Sequence, residues 1–450
     1  MAWPVNASIP HLGWQPGLTA SYRSLRDRCE WRQRVAPHRL LVQLIPAPGA
    51  AQSSEWAPHV SECTLDASGD DGAAIWLIRR LGRASADGRH VLPLKVNAGM
   101  WASWYFEMNL NVSKEFLDAR GAALVTSFRF WPVDPGGGDV PMPPLHNHHS
   151  TYGHEGLARA AITPEYLRDF PPMRTSLGAG SAADYGCVEE DGGDECKLKQ
   201  LPRGYARTLP QSAKYSIVLN DVRPRGDPYA VWYECALRLL RPSPAAAVRD
   251  VAHLTWGLSG AHRGAEPPHT RIDGAMFTTF ELPRALPSLY CVTHRWPRAG
   301  RIVSEWWHGH HRFTSVGFVL SGDVESRLRG LIPGASCGQR ATATPLRGKD
   351  ALGPANVQKL LANLTAGGDV RHLCSYEPRR VARAPVAGEA AQLFDRAAVG
   401  PAAAPSCAGA RVRRGEQLTV LCLNAAGGDA PHAGQHCVWD ADVAFEHDGV

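Results

Sequence analysis

The residues with the clearest chemical potential in this chain are clustered histidines. The stretch PPLHNHHSTYG and the residue that follows it contain four of them: His146, His148, His149 and His154. A second stretch, WWHGHHRF, contains His308 and His310 one residue apart. Imidazole nitrogen is a favoured ligand of borderline metal ions such as copper and zinc. Both stretches are therefore candidate metal sites.

The second cluster predicts a two-ligand clasp. Residues i and i+2 of a strand lie on one face, so His308 and His310 project together if the segment is extended. The flanking runs IVSEWW and TSVGFVL look like buried strand, which argues against the alternative of a surface histidine cluster without a ligand. By the same alternation Glu305 and His311 fall on the opposite face, so neither is assigned a catalytic role.

The first cluster leaves two geometries open. His146 and His148 share a face if the chain is extended there. The adjacent residues His148 and His149 converge only where a strand bends or ends. Asn147 and the proline-rich approach favour a strand end.

The elements that must position these residues are short strands. Apolar or alternating runs such as AALVTSFRFWPV, KYSIVLNDV, YAVWYECALRLL and EQLTVLCLN recur along the chain, separated by many of its 44 glycines and 35 prolines. This pattern is typical of an all-β protein. Two segments, ITPEYLRDF and NVQKLLANL, read instead as single short helices.

We predict two tandem antiparallel β-sandwich domains of jelly-roll-like architecture with an N-terminal extension. A chain of 450 residues exceeds what one core usually serves. Residues 1–71 are poor in strand signals and form the extension. The first sandwich spans residues 72–244 and the second spans 251–450, with RPSPAAAVRD as the linker between them.

Composition excludes several classes of partner. The formal charge of +5 is small for this length, and no stripe of Lys and Arg interleaves with aromatic residues, so no nucleic-acid partner is expected. No apolar run has the length of a membrane span, so no transmembrane segment is expected.

The cysteines indicate disulfides in an oxidising compartment. The chain has 11 cysteines and no CxxC pair. The acidic loop VEEDGGDE lies between Cys187 and Cys196, which predicts a disulfide that closes it. Cys291 is expected to pair with one of Cys337, Cys374 or Cys407, and an odd total leaves at least one cysteine unpaired.

Secretion, or residence in the lumen of the secretory pathway, is the predicted location. Three sequons for N-glycosylation begin at Asn6, Asn111 and Asn363. The first residues do not form a signal peptide, and residues 32–52 resemble one only weakly.

Two β units that each carry a histidine cluster, with paired cysteines near the C-terminus, resemble a known family. This is the family of copper type II, ascorbate-dependent monooxygenases, which contains the peptidylglycine α-hydroxylating and dopamine β-monooxygenases. The resemblance covers about residues 85–447 and is closer in the second half.

In the second half the stretch LYCVTHRW…RIVSEWWHGHHRFTSVGFVLSG is similar to the family's His-x-His strand. The resemblance implies that His308 and His310 bind the oxygen-binding copper. RRGEQLTVLCLNAAGGDAPHAGQHCVWD is similar to the family's final hairpin, which implies a disulfide between Cys422 and Cys437. His436 occupies the position of the family's methionine ligand. A third imidazole would hold Cu(II) or Zn(II) more firmly than a thioether and slow redox cycling.

In the first half PMPPLHNHHSTYG is similar to the family's His-His-Met segment, which implies that His148 and His149 bind the electron-supplying copper. The family's third histidine corresponds to Asn220, a poor copper ligand and therefore the position of a missing ligand. His146 or His154 could complete the site, or the site could be degraded.

The resemblance implies hydroxylation of a C–H bond with dioxygen and ascorbate. Two copper ions are expected if both sites are intact and one, at the second-half site, if only that site is, with zinc as the alternative metal. The substrate, small molecule or peptide, is not indicated, and neither is the oligomeric state. The alternatives are a non-catalytic metal-binding or recognition module on the same double β-sandwich fold, and a purely structural secreted β-sandwich.

Overall fold

The computed structural model describes the greater part of the chain. The described residues are 18–34, 39–40, 58–69, 72–87, 89–98, 101–140, 145–153, 198–221, 223, 225–243, 248–257, 280–282, 284–296, 298–309, 314–337, 344–348, 351–376, 407–426, 432–435 and 437–446. Strands dominate these residues and helices are few, so the predicted all-β fold is confirmed.

The N-terminal half of the fold is built from strands that precede residue 244. They are β1 (Arg32–Arg34), β2 (Arg39–Leu40), β3 (Pro58–Asp66), β4 (Ala74–Ala84), β5 (Val91–Leu92), β6 (Leu94–Val96), β7 (Trp101–Asn109), β8 (Ala122–Val133), β9 (Leu145–Gly153), β10 (Leu198–Gln200), β11 (Tyr205–Pro210), β12 (Ser212–Asp221) and β13 (Tyr229–Leu240). A helix, α1 (Leu18–Arg26), precedes them. A 3-10 turn at Lys114–Phe116 links β7 to β8.

The C-terminal half adds more strands and two helices. Its strands are β14 (Arg249–Gly257), β15 (Phe280–Leu282), β16 (Ser288–Arg295), β17 (Gly300–Gly309), β18 (Thr314–Ser321), β19 (Thr344–Pro345), β20 (Arg371–Tyr376), β21 (Arg411–Val412), β22 (Gln417–Asn424), β23 (His432–Gln435) and β24 (Cys437–Phe445). The helices are α2 (Val324–Leu331) and α3 (Pro354–Thr365). NVQKLLANL lies within α3, as predicted, and a proline opens that helix where no backbone donor is needed.

One long sheet runs through both halves. It has 13 strands, with the central order β1-β3-β4-β13-β8-β11-β14-β24-β17-β21. A four-stranded sheet, β2-β7-β12-β9, belongs to the N-terminal half, and a five-stranded sheet, β19-β16-β22-β18-β20, belongs to the C-terminal half. The pairing is antiparallel throughout the described ladders except between β11 and β14, which are parallel.

Each half has its own apolar core. In the N-terminal half Phe128 and Leu237 of the long sheet pack in one cluster with Leu145 and Leu219 of the four-stranded sheet. This cluster lies between two sheets, as in a sandwich.

In the C-terminal half the five-stranded sheet packs one face against α2 and α3, through Phe318 and Leu421 with Leu328 and Leu364. Its other face meets β17 of the long sheet, where Cys374 contacts Glu305. The sequence predicted helix α3 but not helix α2, because the apolar pattern of α2 is weak.

The long sheet crosses the predicted linker. Residues 241–250 fall between β13 and β14, but β14 pairs with β11 and so joins the two halves through the backbone. The division into domains at this point stays a prediction.

The long sheet also begins before residue 72, within the predicted N-terminal extension. Strand β3 pairs with β4 along its whole length, and a disulfide between Cys29 and Cys63 ties α1 to it.

Within the described residues, no helix is both long enough and apolar enough to cross a bilayer.

Candidate metal centre

The predicted His-x-His strand pairs with the last strand of the chain. Strand β17 lies antiparallel to β24, and the last two pairs of their described ladder are His308 with Val438 and Gly309 with Cys437. The first histidine of the predicted clasp therefore stands in a central pair of strands, at the end of β17.

The two other predicted ligands of this centre, His310 and His436, lie outside the described residues. The ladder reaches one residue short of each. Residue 309 is followed in the chain by His310, and residue 437 is preceded by His436. The structure thus brings together the two chain segments that the prediction requires, although they are distant in sequence.

One face of these two strands is turned toward the five-stranded sheet. On it the buried carboxylate of Glu305 accepts a hydrogen bond from Trp439 Nε1 at 2.6 Å and another from the backbone N–H of Cys407. The Sγ atom of Cys374 lies 3.0 Å from Glu305 Oε2. These contacts fix β17 to β24 and to the neighbouring sheet, so Glu305 has a structural role.

Glu305, Cys374 and Cys407 lie close enough together to resemble a metal site, with ligand atoms within 4.8 Å of one another. However, Cys374 and Cys407 form a disulfide. A disulfide sulfur is not a thiolate and is a poor ligand. This cluster is therefore a covalent and hydrogen-bonded anchor for β17.

The opposite face of the same strands carries a buried ion pair between the two halves. Arg207 of β11 donates to both carboxylate oxygens of Asp442 in β24, at 2.8 and 2.9 Å, and both side chains are 0% exposed. Ser304 of β17 donates to Asp442 Oδ2 at 2.5 Å. The guanidinium carbon of Arg207 also lies 4.7 Å from the ring centroid of Phe128 in the N-terminal core.

Sequence reasoning missed this ion pair. Arg207 and Asp442 are separated by 235 residues, and each looks like an ordinary surface charge in its own stretch. The only local signal is that each charge interrupts a strand whose other residues are mainly apolar, which is weak evidence for a buried partner.

The first-half histidines stand on β9, the edge strand of the four-stranded sheet. Asn220 of β12 is directly opposite His146, so the predicted missing-ligand position and this histidine are neighbours in the ladder. The register then shifts. Val218 pairs with His149, and His148 has no partner of its own. His148 is the extra residue of a β-bulge, and His154 lies outside the described residues.

The register of β9 shifts at the point where the sequence left two geometries open, and the choice between them stays a prediction. A regular strand would alternate the faces of His146, Asn147, His148 and His149. Instead the extra residue makes His149 take the ladder place that follows Asn147. Bulges bend the strand and are frequent next to functional sites. The backbone of β9 is therefore irregular at the adjacent pair His148 and His149.

The disulfides agree with the predictions where the structure describes them. Cys291 pairs with Cys337, one of its three expected partners. Cys235 is free and buried, as the odd count requires of at least one cysteine. Burial raises the pKa of the Cys235 thiol well above its usual value, so this thiol is unreactive.

Cys422 is disulfide-bonded. Since every other cysteine with a described bonding state is paired elsewhere or free, its partner is Cys187, Cys196 or Cys437. The predicted pairs Cys422–Cys437 and Cys187–Cys196 are compatible with this limit and stay predictions. Cys187 and Cys196 lie outside the described residues.

No protein-family model matches this chain, and no curated protein is significantly similar to it in sequence.

Proposed function

We propose that this protein is a copper-dependent monooxygenase that hydroxylates a C–H bond with dioxygen and ascorbate, similar to the type II family. The observation that carries the proposal is the ladder between β17 and β24, in which Gly309 is opposite Cys437. In this ladder the segment that carries His308 and His310 lies beside the segment that carries His436.

The donor set fits copper. Directly opposite residues of an antiparallel pair have Cβ atoms about 4.5–5.5 Å apart, on the same face. The ladder places residues 309 and 437 side by side, and the proposed ligands His310 and His436 are their neighbours in the chain. Imidazole nitrogens bind at about 2.0–2.1 Å from an ion such as zinc, and we propose that His308, His310 and His436 supply three of them.

Copper, when bound, would supply the one-electron redox chemistry and the activation of dioxygen, with ascorbate as the source of electrons. The contribution of the protein is to hold the ligands in place. On one face of β17 Glu305 is hydrogen-bonded to Trp439 and lies against the Cys374–Cys407 disulfide. On the other, Ser304 and Arg207 hold Asp442. A strand fixed on both faces preorganises the ligands that it carries.

The first-half cluster would hold the second copper through His148 and His149, with a third ligand still to be assigned. In the mechanism that the resemblance implies, this site supplies an electron to the other. The register shift at His148 supports a metal site there, because such irregularities are frequent next to functional sites.

An oxidising compartment is part of the proposal. Three disulfides are described, and such bonds persist mainly in secreted or lumenal proteins. Two of the three sequons start at exposed residues, Asn111 in a loop and Asn363 in α3. We therefore propose secretion or residence in the secretory lumen, with glycans at these two asparagines.

Oxygen uptake tests the proposed activity. Purified protein loaded with copper should bind about two ions per chain and consume oxygen only when ascorbate is present. The double variant His308→Ala, His310→Ala should lose the uptake and one copper ion. His90→Ala, at an exposed turn, is the matched control and should lose neither.

A second candidate is favoured by the two departures from the family pattern, His436 for methionine and Asn220 for histidine. A third imidazole at 436 favours firm binding over redox cycling, and Asn220 removes a ligand from the site that would supply electrons. This candidate is a non-catalytic metal-binding module, in which copper or zinc binds tightly at the second-half site. Tight binding without ascorbate-dependent oxygen uptake would establish it in place of the enzyme, provided that the site survives the change His148→Ala, His149→Ala.

A further inference from the structure

We propose that the C-terminal half binds a sulfated polysaccharide through an arginine patch, formed by the two neighbouring segments 295–301 and 411–416. This binding surface is separate from the proposed redox function and requires neither copper site. The choice of polymer depends on the oxidising compartment proposed above, where such polysaccharides occur.

The arginine patch concentrates the positive charge of the protein. Its two segments together contain six arginines, one glutamate and no lysine, so six positive charges and one negative charge give a formal charge of +5. This equals the formal charge of the whole chain, so the other residues are neutral in sum. The arginines are Arg295, Arg298, Arg301, Arg411, Arg413 and Arg414.

The backbone places the two segments side by side. In the ladder between β17 and β21, Arg301 is directly opposite Arg411. At the other end of the patch the N–H of Gly415 donates to the carbonyl of Trp296 at 2.7 Å, and the N–H of Trp296 donates to the carbonyl of Glu416 at 2.6 Å. The six arginines therefore belong to one continuous region, although the two segments are distant in sequence.

The pair Arg301 and Arg411 is electrostatically unfavourable within the protein itself. Directly opposite residues of an antiparallel ladder share a face, with Cβ atoms about 4.5–5.5 Å apart, and like charges at such positions destabilise the pair. Arg411 is exposed, and β21 is the last strand in the order of the long sheet. An anionic polymer bound along this edge would relieve the repulsion.

The carboxylate of the patch does not neutralise its arginines. Glu416 accepts hydrogen bonds from the side chains of Arg371 and Ser321, which lie outside the patch, and from the backbone N–H of Arg413 at 2.7 Å. Five of the six arginines form no ion pair with any residue that the structure describes: Arg295, Arg301, Arg411, Arg413 and Arg414. Their charges are therefore available to a ligand.

The chemistry of the patch favours sulfate groups on a flexible chain. A guanidinium group donates two parallel hydrogen bonds to the oxygens of a planar or tetrahedral anion, which an ammonium group cannot do. Short segments rich in basic residues are typical of surfaces that bind heparin or nucleic acid. Trp296 and Val412 of the patch are 1% and 2% exposed. Neither can stack on a nucleic-acid base or enter a bilayer, so a sulfated polysaccharide fits best.

Heparin affinity of the full-length protein tests the proposal. The triple variant Arg411→Gln, Arg413→Gln, Arg414→Gln removes three exposed charges of the patch. The matched control is Arg89→Gln, Arg225→Gln, Arg347→Gln, which removes three exposed charges from scattered positions. At about 0.15 M salt the patch variant should bind heparin about tenfold more weakly, and the control should change by less than about twofold. Equal losses in both variants would overturn the proposal, because binding would then follow net charge alone.

Competition experiments identify the polymer. Chemically desulfated heparin should not displace heparin from the wild-type protein. Double-stranded DNA and vesicles that contain phosphatidylserine should displace it only at a higher concentration of charge. If desulfated heparin competes as well as heparin, or if DNA or the vesicles bind more tightly through the same arginines, the partner is not a sulfated polysaccharide and the proposal is wrong.

Stability and activity measurements separate this surface from the rest of the account. Thermal denaturation should show the patch variant to be as stable as the wild type, because its three side chains are exposed. If the triple variant does not fold, the single variant Arg414→Gln should still weaken heparin binding about twofold, and an unchanged affinity would overturn the proposal. The patch variant should keep the copper content and oxygen uptake of the wild type. Absence of oxygen uptake in the wild type would refute the proposed enzyme and leave heparin binding untouched.

Discussion

The two histidine regions of this protein are built in opposite ways. The first is local, since three histidines of β9 lie within four residues, where the register of the strand shifts. The second is non-local, since β17 and β24 come from distant parts of the chain and meet only through the register of the long sheet. A local cluster is visible in the sequence but does not reveal its geometry. A non-local centre is indicated in the sequence only through the resemblance to a family, and its integrity depends on everything that fixes the pairing of β17 with β24.

The largest expected effect comes from a change to the ion pair of Arg207 and Asp442, which connects the two halves. Arg207→Leu removes the cation that neutralises the buried carboxylate of Asp442, so we expect a loss of about 3–5 kcal/mol of unfolding free energy. Because Asp442 lies on β24, copper binding at the second-half site should weaken while the first-half site is spared. Chemical denaturation and copper titration measure the two effects.

The control for that change is the double variant Arg207→Leu, Asp442→Leu. Replacing both charges with apolar residues removes the unpaired charge, so most of the lost stability should return. If the single and double variants are equally destabilised, the ion pair is not the source of the effect.

The next largest effect should come from removal of the Cys374–Cys407 disulfide, which should affect the second-half site and not the first. The Cys374–Cys407 bond lies against Glu305 of β17 and closes a separation of 33 residues. The variant Cys374→Ala, Cys407→Ala is expected to lose about 2–4 kcal/mol and to weaken copper binding at the second-half site only. The variant Cys29→Ala, Cys63→Ala is the matched control, with a similar separation of 34 residues in the other half. Equal effects of both variants on second-half copper affinity would contradict the anchoring role of Cys374–Cys407.

Metal linkage gives an effect of similar size. Copper at one hundred times its dissociation constant should stabilise the wild-type chain by about 2.7 kcal/mol per site. Thermal denaturation with and without copper should show this increment, and His308→Ala, His310→Ala should lose the second-half share of it. A melting temperature that does not respond to copper or zinc would favour a purely structural protein.

The smallest expected effect is a pH dependence confined to the C-terminal half. Burial lowers the pKa of His372 in β20, and its ring nitrogen Nε2 is 2.7 Å from Ser375 Oγ. Its folded pKa lies below its unfolded value of about 6.5. The unfolded chain therefore takes up the proton first as the pH falls, so stability is full above about pH 6.5 and is lost below it.

His372→Gln should flatten this acid dependence of the melting temperature between about pH 7.5 and pH 5.5. An unchanged slope would mean that other groups cause the acid sensitivity. His59→Gln, in β3 of the N-terminal half, is the comparison variant.

Local pattern was sufficient for much of the fold. Strands β8 and β13 match predicted runs because apolar residues extend over most of each strand, with turn residues at their ends. Helix α3 was equally readable. Helix α1 was missed although Leu18, Tyr22 and Leu25 recur at helical spacing. Strand β3 was missed because the buried polar residues Ser61 and Glu62 interrupt its alternation.

The candidate centres show the same limit. The sequence identified the histidines and left open whether His146 and His148 share a face or the adjacent pair His148 and His149 converges. That choice depends on a register shift opposite Val218, and hence on the partner strand. The ion pair of Arg207 and Asp442 could not be predicted from the sequence either, because the burial of each charge is determined by the fold around it.

The most direct test of the central claim counts the imidazoles on the second-half copper. Pulsed electron paramagnetic resonance of Cu(II) bound to the variant His148→Ala, His149→Ala should detect three coordinated imidazoles, and the further change His436→Ala should reduce them to two. If His436→Ala leaves the number of imidazoles unchanged, then β17 and β24 do not close around a single ion, and the proposed copper centre is wrong.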